Sequence, residues 1–362
     1  MIRIDEIYEN TFWPWFREHI PGRRIFFCDP FGHTDPEHLM NHGQDTDETG
    51  YVFFHDQEPV QLEGHKNLFD DVIERNLDLE KQDARVIVSE LGENTERLCS
   101  TYGWQSHYYF FHGWACLDWF RGYDRTFLLP NPTQRPAPQH TFMSPNRIMG
   151  GERDHRTLFV YHLAQRGLLH NPVSAPAVCP YENVPVTEVG KKYINMYPDI
   201  SQVLSQAGLP RFFQGENTQQ MTSCWLSNFE EAVSSLVYVP TETVYFGRRT
   251  HVTEKTFKAI ALGMPWILVA PRGTLAYMRS YGFNTFGSVW DESYDQEPDD
   301  LRRLEMIADL LAQLDSMSDS QKADIQQACL PMVEHNWHHF YHGAFEQVLW
   351  KEMTEMLEQL RD

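Results

Sequence analysis

Short apolar runs alternate with polar, helix-patterned stretches through the first ninety residues. Arg24-Ile25-Phe26-Phe27-Cys28, Tyr51-Val52-Phe53-Phe54 and Arg85-Val86-Ile87-Val88 read as strands. Their apolar residues are consecutive rather than alternating, the pattern of strands covered on both faces. Each run stops at a polar or turn-forming group: Asp29-Pro30-Phe31-Gly32-His33, His55-Asp56-Gln57-Glu58-Pro59, and Ser89-Glu90. With a partly helical stretch over 67–82, the alternation predicts a parallel α/β sheet. Residues 104–119 are dense in aromatics (Tyr108, Tyr109, Phe110, Phe111, Trp114). They read as core, with a stacking wall for a sugar or base as the functional alternative.

The second half repeats the scheme. A strand is predicted at 141–144, followed by Pro145-Asn146-Arg147, and then a helix carrying Asp154-His155-Arg156-Thr157-Leu158 and running to Gly167. Residues 180–225 read as irregular. A strand over 233–240 leads to Thr253, whose hydroxyl suits the N-cap of a helix with Phe257, Ile260, Ala261 and Met264 on one face. Gly263 ends that helix, and Pro265 keeps it from resuming. Trp266-Ile267-Leu268-Val269-Ala270 then reads as a buried strand and 272–279 as a helix closed by Gly282. The acidic group from Asp291 to Asp300 reads as a solvated face, and helical patterns fill 299–361. Four prolines lie in the ten residues 129–138, a semi-rigid connector and the best boundary in the chain.

Length strengthens the case for a boundary, because 362 residues exceed what one hydrophobic core usually serves. A formal charge of −21 argues against a general nucleic-acid-coating surface, which depends on Lys and Arg neutralising phosphates, and leaves room for a local basic groove. The six cysteines are scattered without a C-x-x-C pair, as expected for free thiols in a reducing compartment. The beginning of the chain lacks a basic start followed by an apolar run, and no stretch of about eighteen apolar residues occurs, so a cytoplasmic protein without a membrane span is expected.

Arg248, Arg249 and Lys255 crowd the beginning of the helix that Thr253 caps. A cation at the positive end of a helix costs about 0.3–1 kcal/mol. An anion bound there reverses the sign, since free amides and cations would converge on it. Glu254 could accept from ribose or sugar hydroxyls, so a diphosphate attached to a ribose would satisfy the group. A surface helix with solvated Glu254 and Lys255 is the competing reading. The stretch Thr253-Glu254-Lys255, followed by a small-residue turn, a proline and an apolar strand, resembles the donor-binding motif of the α1,3-fucosyltransferase-like glycosyltransferases. The similarity covers roughly the C-terminal half. The segment 282–295, with GF-x-TF and W-DE-SYD, also looks like glycosyltransferases of bacterial viruses.

The resemblance implies two Rossmann-like α/β domains facing a cleft, the GT-B architecture. Residues 1–134 would bind the acceptor, 135–335 the nucleotide sugar, and 336–362 would form a helix packing back toward the first domain. Glu254 and Lys255 would contact ribose and diphosphate. An Arg near the strand–helix junction would meet phosphate, with Arg147 and Arg156 both open. Asp56-Gln57-Glu58 has three readings: a general base, a D-x-D-like metal motif, or a turn shaped by Pro59. The resemblance favours the base, with Asp56 and Glu58 unranked. No cofactor or metal is expected beyond the nucleoside-diphosphate sugar as co-substrate. Three rivals remain: a glycosyltransferase acting on hydroxymethylated pyrimidines of viral DNA, a nucleotide-binding module without catalysis, and a metal-dependent GT-A enzyme. His335, His338, His339 and His342 share a helical face, but Trp337, Phe340 and Tyr341 interleave and no H-E-x-x-H is present. A packed or solvated face outweighs a metal site there. His33, His38 and His42 lie in a loop that could border an acceptor cleft.

Overall fold

The computed structural model describes residues 4–20, 23–27, 50–62, 84–121, 134–180, 182–213 and 225–361. It is a mixed α/β chain with parallel sheets. Two compact units divide it, and both are discontinuous. One comprises Met1–Arg121, Arg248–His251 and Ala344–Asp362; the other comprises Gly122–Gly247 and Val252–Gly343. The sequence reading put the boundary after Gln134 and the last segment at 336, and it had no signal for the four-residue excursion at 248–251.

In the first unit, strands Arg23–Phe27, Gly50–His55, Ala84–Val88 and Gln105–Tyr108 form one parallel sheet in that order. The middle two strands are buried throughout, because both faces are covered. Phe54 meets Phe12, Trp13 and Phe16 from the N-terminal helical segment. Tyr51 and Phe53, pointing the other way, join Leu98 of helix Glu93–Tyr102 and Trp104. Helix Phe111–Arg121 packs on helix Ala344–Arg361 through Trp114 and Trp350, whose rings stand 4.6 Å apart. A Cβ on Gly113 would lie 3.0 Å from both Leu349 and Phe345, so the absence of a side chain sets this approach. The aromatic stretch 104–119 is therefore core.

The excursion adds strand Arg249–Thr250, antiparallel to Leu91–Gly92. Gly92, at φ 127°, is required twice over: the backbone is left-handed, and a Cβ would overlap the carbonyl oxygen of Arg248.

The second unit is built on parallel strands His140–Met143 and Ser235–Tyr238. The run 266–270 lies alongside, but as two isolated parallel bridges, Tyr238 to Trp266 and Thr241 to Val269, instead of the continuous strand expected. Pro240 explains the break, since it has no N–H to donate to the ladder. Helix Glu254–Ala261 is capped by Thr253 and followed by Gly263 at φ 61°. It is buried on nearly every side, Thr256, Lys258 and Ala259 included, so the apolar stripe understates its burial. The described residues from 178 to 213 are not all irregular, contrary to the reading of 180–225, of which 181 and 214–224 lie outside the described residues. They hold the short pair Val178–Cys179 and Val184–Pro185 and helices Val186–Gly190 and Ile200–Gln206, too brief for their periodicity to register.

Cys99, Cys116, Cys179 and Cys329 are free thiols; Cys28 and Cys224 lie outside the described residues, as do His33, His38, His42 and residues 129–133 of the proline-rich connector. Among the described residues no helix is long and apolar enough to cross a membrane.

Candidate functional site

The carboxyl ends of parallel strands are where α/β sheets bind ligands. In the second unit, Ser144-Pro145-Asn146-Arg147 follows strand His140–Met143, and Thr241-Glu242-Thr243 follows strand Ser235–Tyr238. The Thr241 hydroxyl donates to Asn146 Oδ1 at 2.9 Å, tying the two strand ends together. The first turn of helix Glu254–Ala261 joins them through Lys255. Its ammonium donates to Thr243 Oγ1 at 3.1 Å, Thr253 Oγ1 at 3.0 Å and Glu254 Oε1 at 3.0 Å. Thr253, Glu254 and Lys255 thus stand together.

The two arginines left open by the sequence part ways here. Arg156 is 3% exposed. It donates to the carbonyls of Ile148 (2.9 Å), Thr241 (2.8 Å) and Glu242 (3.0 Å). Burial lowers its pKa to about 9. It fastens the backbone beneath the site. Arg147 is exposed, and among the described residues it has no hydrogen-bond or ion-pair partner. A ligand phosphate would find Arg147 available and Arg156 already committed.

Arg248 and Arg249, which the sequence grouped with Lys255, belong to the first unit. Arg248 pairs with Glu96 at 3.0 Å on the surface. Arg249 makes a bidentate pair with Glu90, at 2.7 and 2.8 Å, and also reaches the carbonyl of Val60. Glu90 is fully buried, so the guanidinium neutralises a charge that would otherwise be costly. Proximity in sequence to Lys255 was a poor guide, because the chain changes units between His251 and Val252.

Sequence reasoning missed Glu242. Its side chain is fully buried and accepts from the Thr253 amide (3.2 Å), the Thr253 hydroxyl (2.6 Å) and the Thr256 hydroxyl (2.5 Å). Its carbonyl meets His155 Nε2, whose ring is held neutral because burial pushes its pKa well down. The available signal was a polar triplet, Thr241-Glu242-Thr243, directly after a buried strand.

No known family and no curated protein matches this chain. Its chemistry must therefore be read from its own geometry.

In the first unit, Asp56 and Tyr109 both follow the carboxyl ends of their strands. Asp56 is 2% exposed, and its Oδ2 accepts from Tyr8 at 2.6 Å and from Tyr109 by a short bond. Burial raises its pKa to about 6, against the pull of the two phenols. Both phenols are themselves pushed well above their ordinary value, by burial first and by the nearby carboxylate second. A carboxylate poised near neutrality can take a proton at physiological pH. Glu58 is half-buried in the bend that follows, where His55 Nε2–H donates to the Pro59 carbonyl at 3.3 Å. Tyr8 was not singled out from sequence, and Tyr109 was named only as a member of the aromatic cluster; Tyr8 comes from a segment 48 residues away. His251 Nδ1 bonds the Ser89 carbonyl at 3.0 Å, and its ring stands edge-on to His112.

Two histidines of helix Asp319–Tyr341 tie it to the turn at 281–282. His335 and His339 donate through Nε2 to the carbonyls of Gly282 and Tyr281, at 2.8 and 2.7 Å. Among the described residues no group of three or more His, Cys, Asp or Glu is disposed to hold a metal.

Proposed function

We propose that the protein is a glycosyltransferase that moves a sugar from a nucleoside-diphosphate sugar to a hydroxyl acceptor, a saccharide or related glycan. The observation that carries this reading is the Lys255 ammonium, fixed by three oxygens at the first turn of a capped helix where two parallel strands end. Cation, helix amides and a neighbouring carboxylate are what a diphosphate joined to a ribose needs. Arg147, exposed and uncommitted, would take the phosphate role, and Glu254 the ribose hydroxyls. The GT-B arrangement expected from the sequence belongs to this same proposal.

The acceptor oxygen would attack the anomeric carbon as the bond to the phosphate oxygen breaks. Lys255 and Arg147 would stabilise the charge gathering on the leaving diphosphate, the term such reactions depend on most. The acceptor proton would pass to a carboxylate of the first unit. Asp56, with its pKa near 6, suits that task better than Glu58.

A panel of nucleoside diphosphates tests the donor half. The cognate one should stabilise the protein by about 2.7 kcal/mol at a hundred times its dissociation constant. No rise in melting temperature with any of them at millimolar concentration would remove the reading. Mass spectrometry of acceptors incubated with the stabilising sugar nucleotide then tests transfer, which should survive EDTA. The burial of Asp56 favours one other reading, a nucleotide-binding module without catalysis. It predicts the same stabilisation and no transfer to any acceptor.

A further inference from the structure

The Lys255 ammonium makes three hydrogen bonds, and one of the three acceptors is itself constrained. Thr253 Oγ1 has a single proton and two lone pairs. It lies 2.6 Å from Glu242 Oε2, 3.0 Å from Lys255 Nζ and 3.5 Å from the Lys255 amide. The last two groups can only donate, and a carboxylate can only accept. The hydroxyl proton must therefore point at Glu242, which turns both lone pairs toward Lys255. Every polar atom of Glu242 is in turn engaged. Its second oxygen holds Thr256, its amide donates to the Val269 carbonyl at 2.9 Å, and its carbonyl accepts from Arg156 and His155.

We infer that Glu242 is a positioning residue for diphosphate recognition, acting through the Thr253 hydroxyl to aim the Lys255 ammonium. The inference rests on the donor-site reading above. It adds that a fully buried carboxylate, touching no ligand, governs the phosphate-dependent part of affinity and not the nucleoside part. Oε2 receives two bonds from Thr253, its hydroxyl and its amide, whereas Oε1 receives one from Thr256. A glutamine would keep its carbonyl oxygen on Thr253 and turn its NH2 toward Thr256, whose hydroxyl can reverse and accept. Glu242→Gln is thus the conservative replacement, and Glu242→Leu removes the function. Thr253→Ser and Thr253→Val form the matching pair.

The test is calorimetric titration of each variant with the nucleoside diphosphate that stabilises the wild type and, by competition, with the bare nucleoside. Glu242→Leu and Thr253→Val should each weaken the diphosphate about tenfold, the weight of one charge-assisted hydrogen bond, while leaving the nucleoside unchanged. The double variant should lose no more than the worse single one, because both act along one path. Glu242→Gln and Thr253→Ser should keep wild-type values. Equal weakening of both ligands, additive losses, or wild-type binding by Thr253→Val would each overturn the inference. If Glu242→Leu fails to fold, the Thr253 pair decides alone. A wild type that binds no nucleoside diphosphate would sink the donor-site reading itself. A wild type that binds one, with a Thr253→Val variant indifferent to its phosphates, would sink only the inference.

Discussion

Each unit ends a parallel strand in a buried carboxylate, and the two carboxylates have been given opposite company. Asp56 meets two phenols, neutral donors whose own pKa values burial and the carboxylate drive up. Glu242 meets two threonine hydroxyls and a backbone amide, within the field of the Arg156 guanidinium. The first environment makes ionisation expensive and leaves a group that can exchange a proton near neutral pH. The second surrounds its carboxylate with fixed donors and uses it as a structural acceptor. One fold rule, polar residues beyond the ends of buried strands, thus serves two chemistries, and the neighbours decide which.

The largest effect expected from this contrast is on transfer. Asp56→Asn keeps the acceptor for both tyrosines but removes basicity, so the rate should fall about 10²–10⁴-fold with nucleotide affinity near wild type. Glu58→Gln, measured in the same transfer assay, should change little. The reverse ranking would make Asp56 structural and Glu58 the base.

In the second unit, Lys255→Ala should lower turnover about 10²–10³-fold and weaken donor binding as well, since the charge matters most as the diphosphate departs. A rise in the Michaelis constant alone, in steady-state kinetics, would reduce Lys255 to a uniform binding contact.

The pH dependence of stability separates the carboxylates next. The folded pKa of Asp56, about 6, stands above its ordinary value of 3.8. A raised pKa means that the folded state holds the proton more tightly. The contribution to stability is therefore complete below the ordinary value and is lost as pH rises through about 6. Its full span is on the order of 2–4 kcal/mol. Denaturant titrations between pH 4 and pH 7 should find the wild type losing that much relative to Asp56→Asn. A constant difference across the window would mean that burial does not control this group.

The smallest effect concerns the arginines. Arg147→Ala should weaken the nucleoside diphosphate about tenfold without moving the melting temperature, as fits an exposed charge that meets a phosphate. Arg156→Ala should instead lower the melting temperature, because three carbonyls each lose a donor. Equal melting curves for the two variants would erase the distinction drawn between them.

Much of the framework was legible in the chain. Consecutive apolar residues at 51–54 and 86–88 specified doubly covered strands, and Thr253 with Gly263 bracketed its helix, because these signals are local. The expected strand at 266–270 became two bridges through Pro240, a residue of the neighbouring segment that a run-by-run reading does not weigh. The candidate site divided in the same way. Lys255, Glu254 and Thr253 are adjacent in sequence and were found as a motif. Glu242, Tyr8 and Tyr109 act on groups 11 to 53 residues away, and apart from the polar triplet around Glu242 their own neighbourhoods gave no sign of it. Arg249 erred in the other direction, close to Lys255 in sequence yet paired with Glu90, 159 residues earlier.

The discontinuity of the first unit sets an order of events during synthesis. Helix Phe111–Arg121 leaves the ribosome long before the helix that covers it: Arg121 and its partner Glu346 are 225 residues apart. At roughly 5–20 residues per second, that interval runs from about ten seconds to most of a minute. Throughout it, Phe110, Trp114 and the other side chains destined for helix Ala344–Arg361 have no cover from that helix. The segments of the second unit, 122–247 and 252–343, are all made within the same interval. The unit begun first is therefore the one completed last.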